Sequence, residues 1–283
     1  MEIPLAWKQL DPAQLQGLIL VVGGTDVGKS TLARYLHQRL EQAGMDPAYL
    51  DGDPGQSSLG PPTTMTVRLG DGRVRRWFVG DTTPRGHMLP MLVGAFRLSQ
   101  AAGQGQDRPL IYDTCGLIDP TQGGVTLKMA KIDLLRPRLV IALQRSRELE
   151  PLLAPLRNSH RVRLLELPVA PEARPKDRLA RQAYRRGQFA RYFAEARELP
   201  LSWNRLAVFP RPFFLRHQLV ALEDPQGFTR GLGIVLAFQR EERQLRLWTP
   251  VPSLDGVDAL RLGDLLLDPV TLEEQRVKRG TGG

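Results

Sequence analysis

The chain has 283 residues, 42% of them hydrophobic and 24% charged, and its formal net charge is +9. This length suits one large α/β domain, or one domain with a small appendage, and the composition is that of a globular protein. No apolar stretch approaches the roughly 20 residues needed to span a bilayer, and the N-terminus lacks the basic and apolar regions of a signal peptide. We therefore expect a cytoplasmic protein with no membrane partner.

The cysteine and histidine content narrows the possibilities further. Cys115 is the only cysteine, which excludes an intrachain disulfide, fits a reducing cytosol and leads us to expect no disulfide-linked partner. The four histidines are scattered without ligand spacing, so a His/Cys metal site is not expected. The positive charge, nearly all from arginine, fits a polyanionic partner, a GC-rich genome or a thermophilic lifestyle. Composition leaves the oligomeric state open.

A phosphate-binding loop follows the first apolar run of the chain. Residues 23–31 read Gly-Gly-Thr-Asp-Val-Gly-Lys-Ser-Thr after the predicted strand 18–22, which is the G-x-x-x-x-G-K-[ST] pattern in its strand-to-helix context. Lys29 reaches the β/γ-phosphates, Ser30 ligates Mg²⁺, and the helix predicted from about residue 29 to 43 points its positive end at the same anion. The residues predicted to bind the nucleotide are Gly24, Thr25, Asp26, Val27, Gly28, Lys29, Ser30 and Thr31.

Strands and helices alternate after this loop, which predicts a parallel sheet with helices on both faces. Polar turns follow the strands, so we expect the ligand site at their C-terminal ends. Further strands are predicted at 47–50, 74–79, 109–112, 139–143 and 162–167, and further helices at 88–101, 125–135 and 146–157.

From residue 168 the chain becomes rich in arginine. Arg178, Arg181 and Arg185 are three and four residues apart, so a helix would place them on one face. Such a face could close over a triphosphate as a lid of arginine fingers, contact a nucleic-acid backbone, or simply be solvated. The prolines at 168–175 favour the lid, because they suggest a mobile entry to the helix.

The predicted organisation has two parts. A P-loop domain over residues 1–203 carries the lid at about 170–198, and a small β-rich domain follows over 204–283, with strands predicted at 213–222, 231–238 and 244–248. The tail from Glu273 is predicted to be disordered. The expected fold class is α/β: a P-loop NTPase parallel sheet with helices on both faces, an arginine-rich lid insertion and a small C-terminal β-rich domain.

Two carboxylates close the strand after the P-loop helix. Asp51 and Asp53 can divide the work of phosphoryl transfer, since one can help hold Mg²⁺ and the other can accept a proton from an attacking hydroxyl. The alternative is a simple turn, because Asp-Gly-Asp-Pro-Gly is favourable turn sequence.

A further acidic motif, Asp113-Thr114-Cys115-Gly116, follows another apolar strand. It fits a Walker-B-like carboxylate near Mg²⁺ or the D-x-x-G switch of GTPases. A GTPase would also need a guanine-reading [NT]-K-x-D motif, and residues 130–133 (Ala-Lys-Ile-Asp) have the wrong first residue. The GTPase interpretation is therefore disfavoured.

In combination, these motifs resemble the polynucleotide 5′-hydroxyl kinases related to the RNA kinase of the mRNA cleavage-and-polyadenylation machinery and to the nucleolar rRNA-processing kinase. Residues 51–56 are similar to the family's D-x-D-x-G-Q, 114–116 to its T-x-G clasp, and 181–193 to its arginine lid with a Tyr-Phe pair. Asp113 replaces the usual Asn of eukaryotic members, and Leu117 stands where they carry a bulky aromatic. The P-loop starts almost at once, which suggests a compact prokaryotic form.

The resemblance implies in-line transfer of the γ-phosphate of ATP to the 5′-hydroxyl of RNA and/or DNA, with ATP and Mg²⁺ as cofactors. Asp53 would be the general base, Lys29 would neutralise the transferring group, and Ser30 with Asp51 would hold Mg²⁺ directly or through water. Arg181 and Arg185 would act as lid fingers. The substrate-binding residues would be Gln56, Thr83, Thr114, Gly116 and Arg186.

Two other functions remain as alternatives. One is a non-catalytic, ATP-dependent RNA-binding or assembly module. The other is a small-molecule ligase or kinase, since Gly-Thr-Asp-Val-Gly-Lys-Ser also resembles the P-loop of dethiobiotin synthetase.

Overall fold

The computed structural model describes residues 3–103 and 108–277, which form two seven-stranded sheets. The first part of the chain comprises α1 (Leu5–Lys8), β1 (Leu18–Gly23), α2 (Lys29–Gln42), β2 (Ala48–Gly52), β3 (Thr64–Arg68), β4 (Val74–Phe78), α3 (Met88–Ala101), β5 (Leu110–Thr114), α4 (Gly124–Leu135), β6 (Leu139–Leu143), α5 (Glu150–Arg157), β7 (Arg163–Leu167) and α6 (Arg178–Tyr192). The second part comprises β8 (Arg197–Ser202), β9 (Ala207–Phe209), β10 (Gln218–Glu223), β11 (Thr229–Gln239), β12 (Gln244–Thr249), β13 (Ala259–Leu267) and β14 (Glu274–Arg276).

The first sheet has the strand order β4-β3-β2-β5-β1-β6-β7. Strands β2, β5, β1, β6 and β7 are parallel, as the alternation of strands and helices predicts. At one edge, however, β3 and β4 form an antiparallel hairpin, and β3 was not predicted. Only five residues separate β3 from β4, which is too short for a helical crossover and dictates antiparallel pairing.

Helices cover both faces of this sheet, which confirms the predicted layer architecture. Alternate residues of a strand face opposite sides. Accordingly, Leu20 packs in a core with helices α3, α4 and α5, whereas Val21 packs in a second core with α2 and Trp7. All six residues of β1 are buried, so the P-loop that follows is anchored on both sides.

The second sheet runs β14-β13-β10-β11-β12-β8, with β9 beside β13. One of its faces packs against α6, through Phe189 and Phe193, and against Phe78 of β4. The lid helix is therefore seated on the second sheet. Strand β8 also belongs to that sheet, although residues 197–202 precede the boundary expected at 203/204.

Three local predictions were wrong. The strand predicted from 213 begins only at Gln218, and α5 begins at Glu150 rather than 146, because the Glu148 carboxylate accepts hydrogen bonds from the backbone of Arg145 and Ser146 and holds a turn there. The predicted disorder from Glu273 is contradicted by β14, which pairs with β13. The remainder of that tail, 278–283, lies outside the described residues. In the described ranges no helix has the length and apolar character to cross a membrane.

Candidate active site

A cleft of about 920 Å³ lies where the parallel strands end, between the P-loop, the loops after β2, β4 and β5, and the segment leading into α6. It brings together most of the residues singled out from the sequence. Those that line it are Thr25, Asp26, Gly28, Lys29, Ser30, Thr31, Asp53, Gln56, Thr83, Thr114, Gly116, Arg181 and Arg185.

The P-loop has the geometry of an anion cradle. Gly28 adopts a φ of +90°, in the left-handed region that favours glycine, and this lets the loop turn into the first residues of α2. The Lys29 ammonium is buried and donates to the Gly24 carbonyl. Burial lowers the pKa of Lys29, against the pull of Asp113. Val27 points into the apolar core, so it can offer the nucleotide only its backbone.

Asp53 presents a fixed carboxylate to the cleft. Its Oδ1 accepts hydrogen bonds from the backbone N–H groups of Gly55 (2.9 Å) and Gln56 (3.1 Å). Its Oδ2 has no partner in the described part of the chain. One oxygen therefore holds the orientation while the other can accept a proton.

The Asp51 carboxylate instead accepts hydrogen bonds from the loop that follows β2. Its Oδ2 accepts from the Ser58 and Leu59 backbones and from the hydroxyls of Ser57 and Ser58, and its Oδ1 accepts from the Asp53 backbone. It is buried and does not line the cleft. The role of Asp51 in holding Mg²⁺, directly or through water, stays a prediction; both of its oxygens already accept hydrogen bonds from the loop after β2.

Asp113 is as buried as Asp51 and does not line the cleft either, but it differs from Asp51 in having an oxygen without a hydrogen-bond partner among the described residues. Its Oδ1 is buried and, among the described residues, has no hydrogen-bond partner, while Tyr49 donates to Oδ2 over 3.3 Å. Burial and the neighbouring Asp51 raise the pKa of Asp113 to about 7, against the lowering effects of Lys29 and the Ser30 hydroxyl. An unsatisfied buried oxygen close to Ser30 fits the need of a Mg²⁺ that travels with a nucleotide. The described residues contain no cluster of three or more acidic, cysteine or histidine ligands.

The clasp, residues 114–116, packs against β1 and the P-loop. The Thr114 hydroxyl donates to the Val21 carbonyl (2.8 Å) and is almost fully buried, so its oxygen can act towards a ligand only as an acceptor. A Cβ on Gly116 would lie 2.6 Å from the Thr25 side chain and 2.9 Å from its backbone nitrogen. Glycine is required at 116 because no side chain fits between clasp and P-loop.

Two fully buried lysines of α4 donate hydrogen bonds to the clasp and to β5, and neither was predicted from the sequence. Lys128 donates to the Cys115 carbonyl (2.6 Å), and Lys131 donates to the Tyr112 hydroxyl (2.5 Å). Burial lowers the pKa of Lys131 to about 7. A sequence signal existed, since both lysines occupy positions that share the inward face of α4 with Leu127 and Leu135.

The lid helix α6 is capped by Asp177, whose side chain accepts a hydrogen bond from the Ala180 N–H (2.6 Å). A second carboxylate, that of Asp26, connects the helix to the P-loop. Asp26 accepts from the Arg181 guanidinium (2.6 Å) and the Lys176 backbone (2.9 Å). Burial acts to raise the pKa of Asp26, but these donors outweigh it and the pKa lies below its usual value.

The later lid arginines pair with the second sheet. Arg185 lines the cleft and forms a bidentate ion pair with Glu274 of β14. Arg186 lies outside the cleft and pairs with Glu273 (2.8 Å) at the surface, so its role in substrate binding stays a prediction. The Tyr-Phe pair anchors the helix: Tyr192 accepts from the Leu232 N–H (2.7 Å), and Phe193 packs in the core beneath.

A glycine-rich loop between β1 and α2, at the C-terminal edge of a parallel sheet, defines a P-loop nucleotide-binding protein. The family model described as mRNA cleavage and polyadenylation factor CLP1 P-loop matches residues 23–195. The chain belongs to this family.

Similar proteins extend the comparison. The chain is 26% identical to the polyribonucleotide 5′-hydroxyl-kinase of Pyrococcus abyssi, over 92% of this chain and 90% of that protein. It is 31% identical to that of Methanocaldococcus jannaschii, over 67% of this chain and 54% of that protein. A solved Clp1p–Pcf11p complex matches with a TM-score of 0.65 at 15% identity, over 87% of this chain and 74% of the matched chain, which shows a shared fold.

Proposed function

We propose that this protein is an ATP-dependent polynucleotide 5′-hydroxyl kinase that transfers the γ-phosphate of ATP to the 5′-hydroxyl end of RNA. The observation that carries the proposal is the placement of Asp53, with a free carboxylate oxygen, in the same cleft as Lys29 and the lid arginine Arg181. A nucleotide-binding module without chemistry would not need a fixed proton acceptor facing the phosphate loop. The names of the archaeal relatives point to RNA as the acceptor.

Each residue then has a role in the transfer. Asp53 accepts the proton of the 5′-hydroxyl while the hydroxyl oxygen forms a bond to the γ-phosphorus. The bond between that phosphorus and the β–γ bridging oxygen breaks, and ADP is released. Lys29 offsets negative charge on the transferring group. Gln56 and Thr83 line the cleft together with Asp53 and would contact the acceptor.

Ser30 and Asp113 are the residues that would hold Mg²⁺ with the nucleotide. Bound there, the ion supplies positive charge that neutralises the β- and γ-phosphate oxygens. Asp51 would fix the loop that carries Asp53.

The lid arginines would stabilise charge in the transition state after exchanging partners. Arg181 now pairs with Asp26 and Arg185 with Glu274, so each guanidinium must leave a carboxylate to meet a phosphate. Guanidinium groups make this exchange readily, because their planar donors match carboxylate and phosphate oxygens alike.

Incubation with γ-labelled ATP, Mg²⁺ and a 5′-hydroxyl oligonucleotide tests the proposal. Label is expected at the 5′ end of RNA, and a DNA oligonucleotide run in parallel measures the preference. Retention of ATP with no transfer to either would overturn the kinase proposal and favour the assembly module. Phosphorylation of a small molecule alone would favour the ligase alternative.

A further inference from the structure

A second hollow of about 520 Å³ adjoins the cleft, between the start of the lid helix and strand β14. Four arginines line it: Arg85, Arg178, Arg185 and Arg276. Its one acidic lining residue is Glu274, and none of its described lining residues is aromatic. We call it the arginine hollow.

Two of these arginines carry charge that none of the described residues neutralises. Arg185 pairs with Glu274, and Arg276 pairs with Asp81 (2.9 Å). In the described ranges, the exposed guanidinium groups of Arg85 and Arg178 have no ion-pair partner. The hollow therefore has unmatched positive charge at two points on its wall.

The hollow adjoins the cleft and shares part of its wall. Arg85 and Arg185 line both cavities. Arg85 lies in the loop between β4 and α3, and the Thr82 carbonyl of the same loop would lie 2.4 Å from a Cβ on Gly55, so this loop packs on the turn that fixes Asp53. A chain whose 5′ end lies at Asp53 can thus continue over Arg85 into the hollow.

We propose that the arginine hollow holds the sugar-phosphate backbone of the nucleotides that follow the 5′-terminal one, with Arg85 and Arg178 pairing with their phosphates. This inference rests on the proposed kinase function. Guanidinium groups suit phosphates, and the lack of aromatic rings for base stacking makes recognition of the backbone independent of sequence. The enzyme would then favour polynucleotide ends over very short acceptors.

The test compares two acceptors with the same 5′ sequence, a 5′-hydroxyl RNA dinucleotide and a 5′-hydroxyl RNA decamer. The wild type is expected to show the higher kcat/KM with the decamer. Arg178→Gln, at a side chain outside the cleft, is expected to lower the decamer-to-dinucleotide ratio about three- to fivefold, as the loss of one exposed charge pair implies. Arg85→Gln should lower the ratio in the same direction.

The salt dependence of RNA affinity and a matched control variant make the test more specific. Removal of one phosphate contact to a single strand should reduce the slope of log affinity against log salt by about 0.7. Arg205 is also exposed, has no ion pair in the described ranges and lies outside both cavities, so Arg205→Gln should leave ratio and slope unchanged. A ratio unaffected by Arg178→Gln would overturn the proposal.

A measurement of RNA binding distinguishes failure of this inference from failure of the kinase proposal. If the wild type phosphorylates neither acceptor, the kinase proposal fails. Binding of a 3′-labelled RNA decamer, measured by fluorescence anisotropy, then tests the arginine hollow independently of catalysis. Weaker binding by Arg178→Gln than by Arg205→Gln supports a nucleic-acid site. Equal binding, or displacement of the RNA by a polyglutamate peptide as readily as by unlabelled RNA, overturns it.

Discussion

Arg181 of the lid helix and Asp26 of the P-loop form an ion pair with an N–O distance of 2.6 Å. The Asp26 carboxylate also accepts from the Lys176 backbone, so one side chain ties the lid entry and the first turn of α6 to the phosphate loop. The bound triphosphate and Asp26 would therefore compete for the same guanidinium group. If the enzyme binds ATP as proposed, this contact would couple nucleotide binding to the position of helix α6.

Asp26→Asn should strengthen nucleotide binding. The substitution removes a negative charge from the cleft and frees Arg181, so we expect the Kd for ATP to fall about two- to fivefold. Isothermal titration calorimetry measures the change. Asp133→Asn, which removes a charge from an exposed pair with Arg161 outside the cleft, is the control. An increased Kd for Asp26→Asn would instead show that Asp26 orders the loop for binding.

Asp53→Asn should abolish phosphoryl transfer but retain ATP binding. The amide oxygen can still accept from the Gly55 and Gln56 backbones, so the turn is preserved while the proton acceptor is lost. Loss of a general base lowers kcat by about 10²- to 10⁴-fold. Single-turnover transfer and ATP titration are the paired measurements, and full activity would remove Asp53 from the mechanism.

Asp51→Asn should act on stability. The carboxylate accepts from N–H donors at both oxygens, so either orientation of the amide places its NH₂ group against a donor. A buried mismatch of this kind costs about 1–3 kcal/mol in the free energy of unfolding. Urea denaturation measures the loss. Normal stability with a selective loss of Mg²⁺ dependence would support Asp51 as a metal ligand.

Gly116→Ala should separate the clasp from the P-loop. The new methyl group would overlap Thr25, including its backbone, and overpacking of this kind costs about 1–3 kcal/mol. We expect reduced stability together with weaker ATP binding. Gly187→Ala is the matched control, since a Cβ there meets no atom within 4 Å and alanine in a helix should stabilise by about 0.5–1 kcal/mol.

Lys131 should make the stability of the fold depend on pH. The pKa of Lys131 is about 7 in the folded protein and near 10.5 when unfolded, so between these values the unfolded chain binds a proton that the folded chain does not. Stability contributed by this group therefore rises with pH above about 7, by at most about 1.4 kcal/mol per pH unit.

The matching experiment is urea denaturation of the wild type and Lys131→Met from about pH 6 to about pH 9. The difference in the free energy of unfolding between them should change across this range, in favour of the wild type as pH rises. A constant difference would show that Lys131 keeps one protonation state throughout.

Sequence reasoning succeeded where the evidence is local. The P-loop, the lid helix and the parallel strands were predicted because backbone curvature, helical spacing and apolar runs are properties of contiguous residues. It failed for β3 and β14, which are short strands defined only by pairing with β2, β4 and β13, and for Lys128 and Lys131, whose buried amino groups donate hydrogen bonds to Cys115 and Tyr112.

The amino-acid sequence by itself determined the phosphate loop, the acidic turn that carries Asp53 and an arginine-rich helix, because each is built from neighbouring residues. Only the tertiary structure decided what those groups do. It assigned Asp51 to the loop and left an oxygen of Asp113 free, and it paired Arg181 with Asp26, 155 positions away, and Arg185 with Glu274, 89 positions away. The reason is physical: a carboxylate's role depends on the donors around it, and for Asp26 and Glu274 those donors come from segments that are remote in sequence.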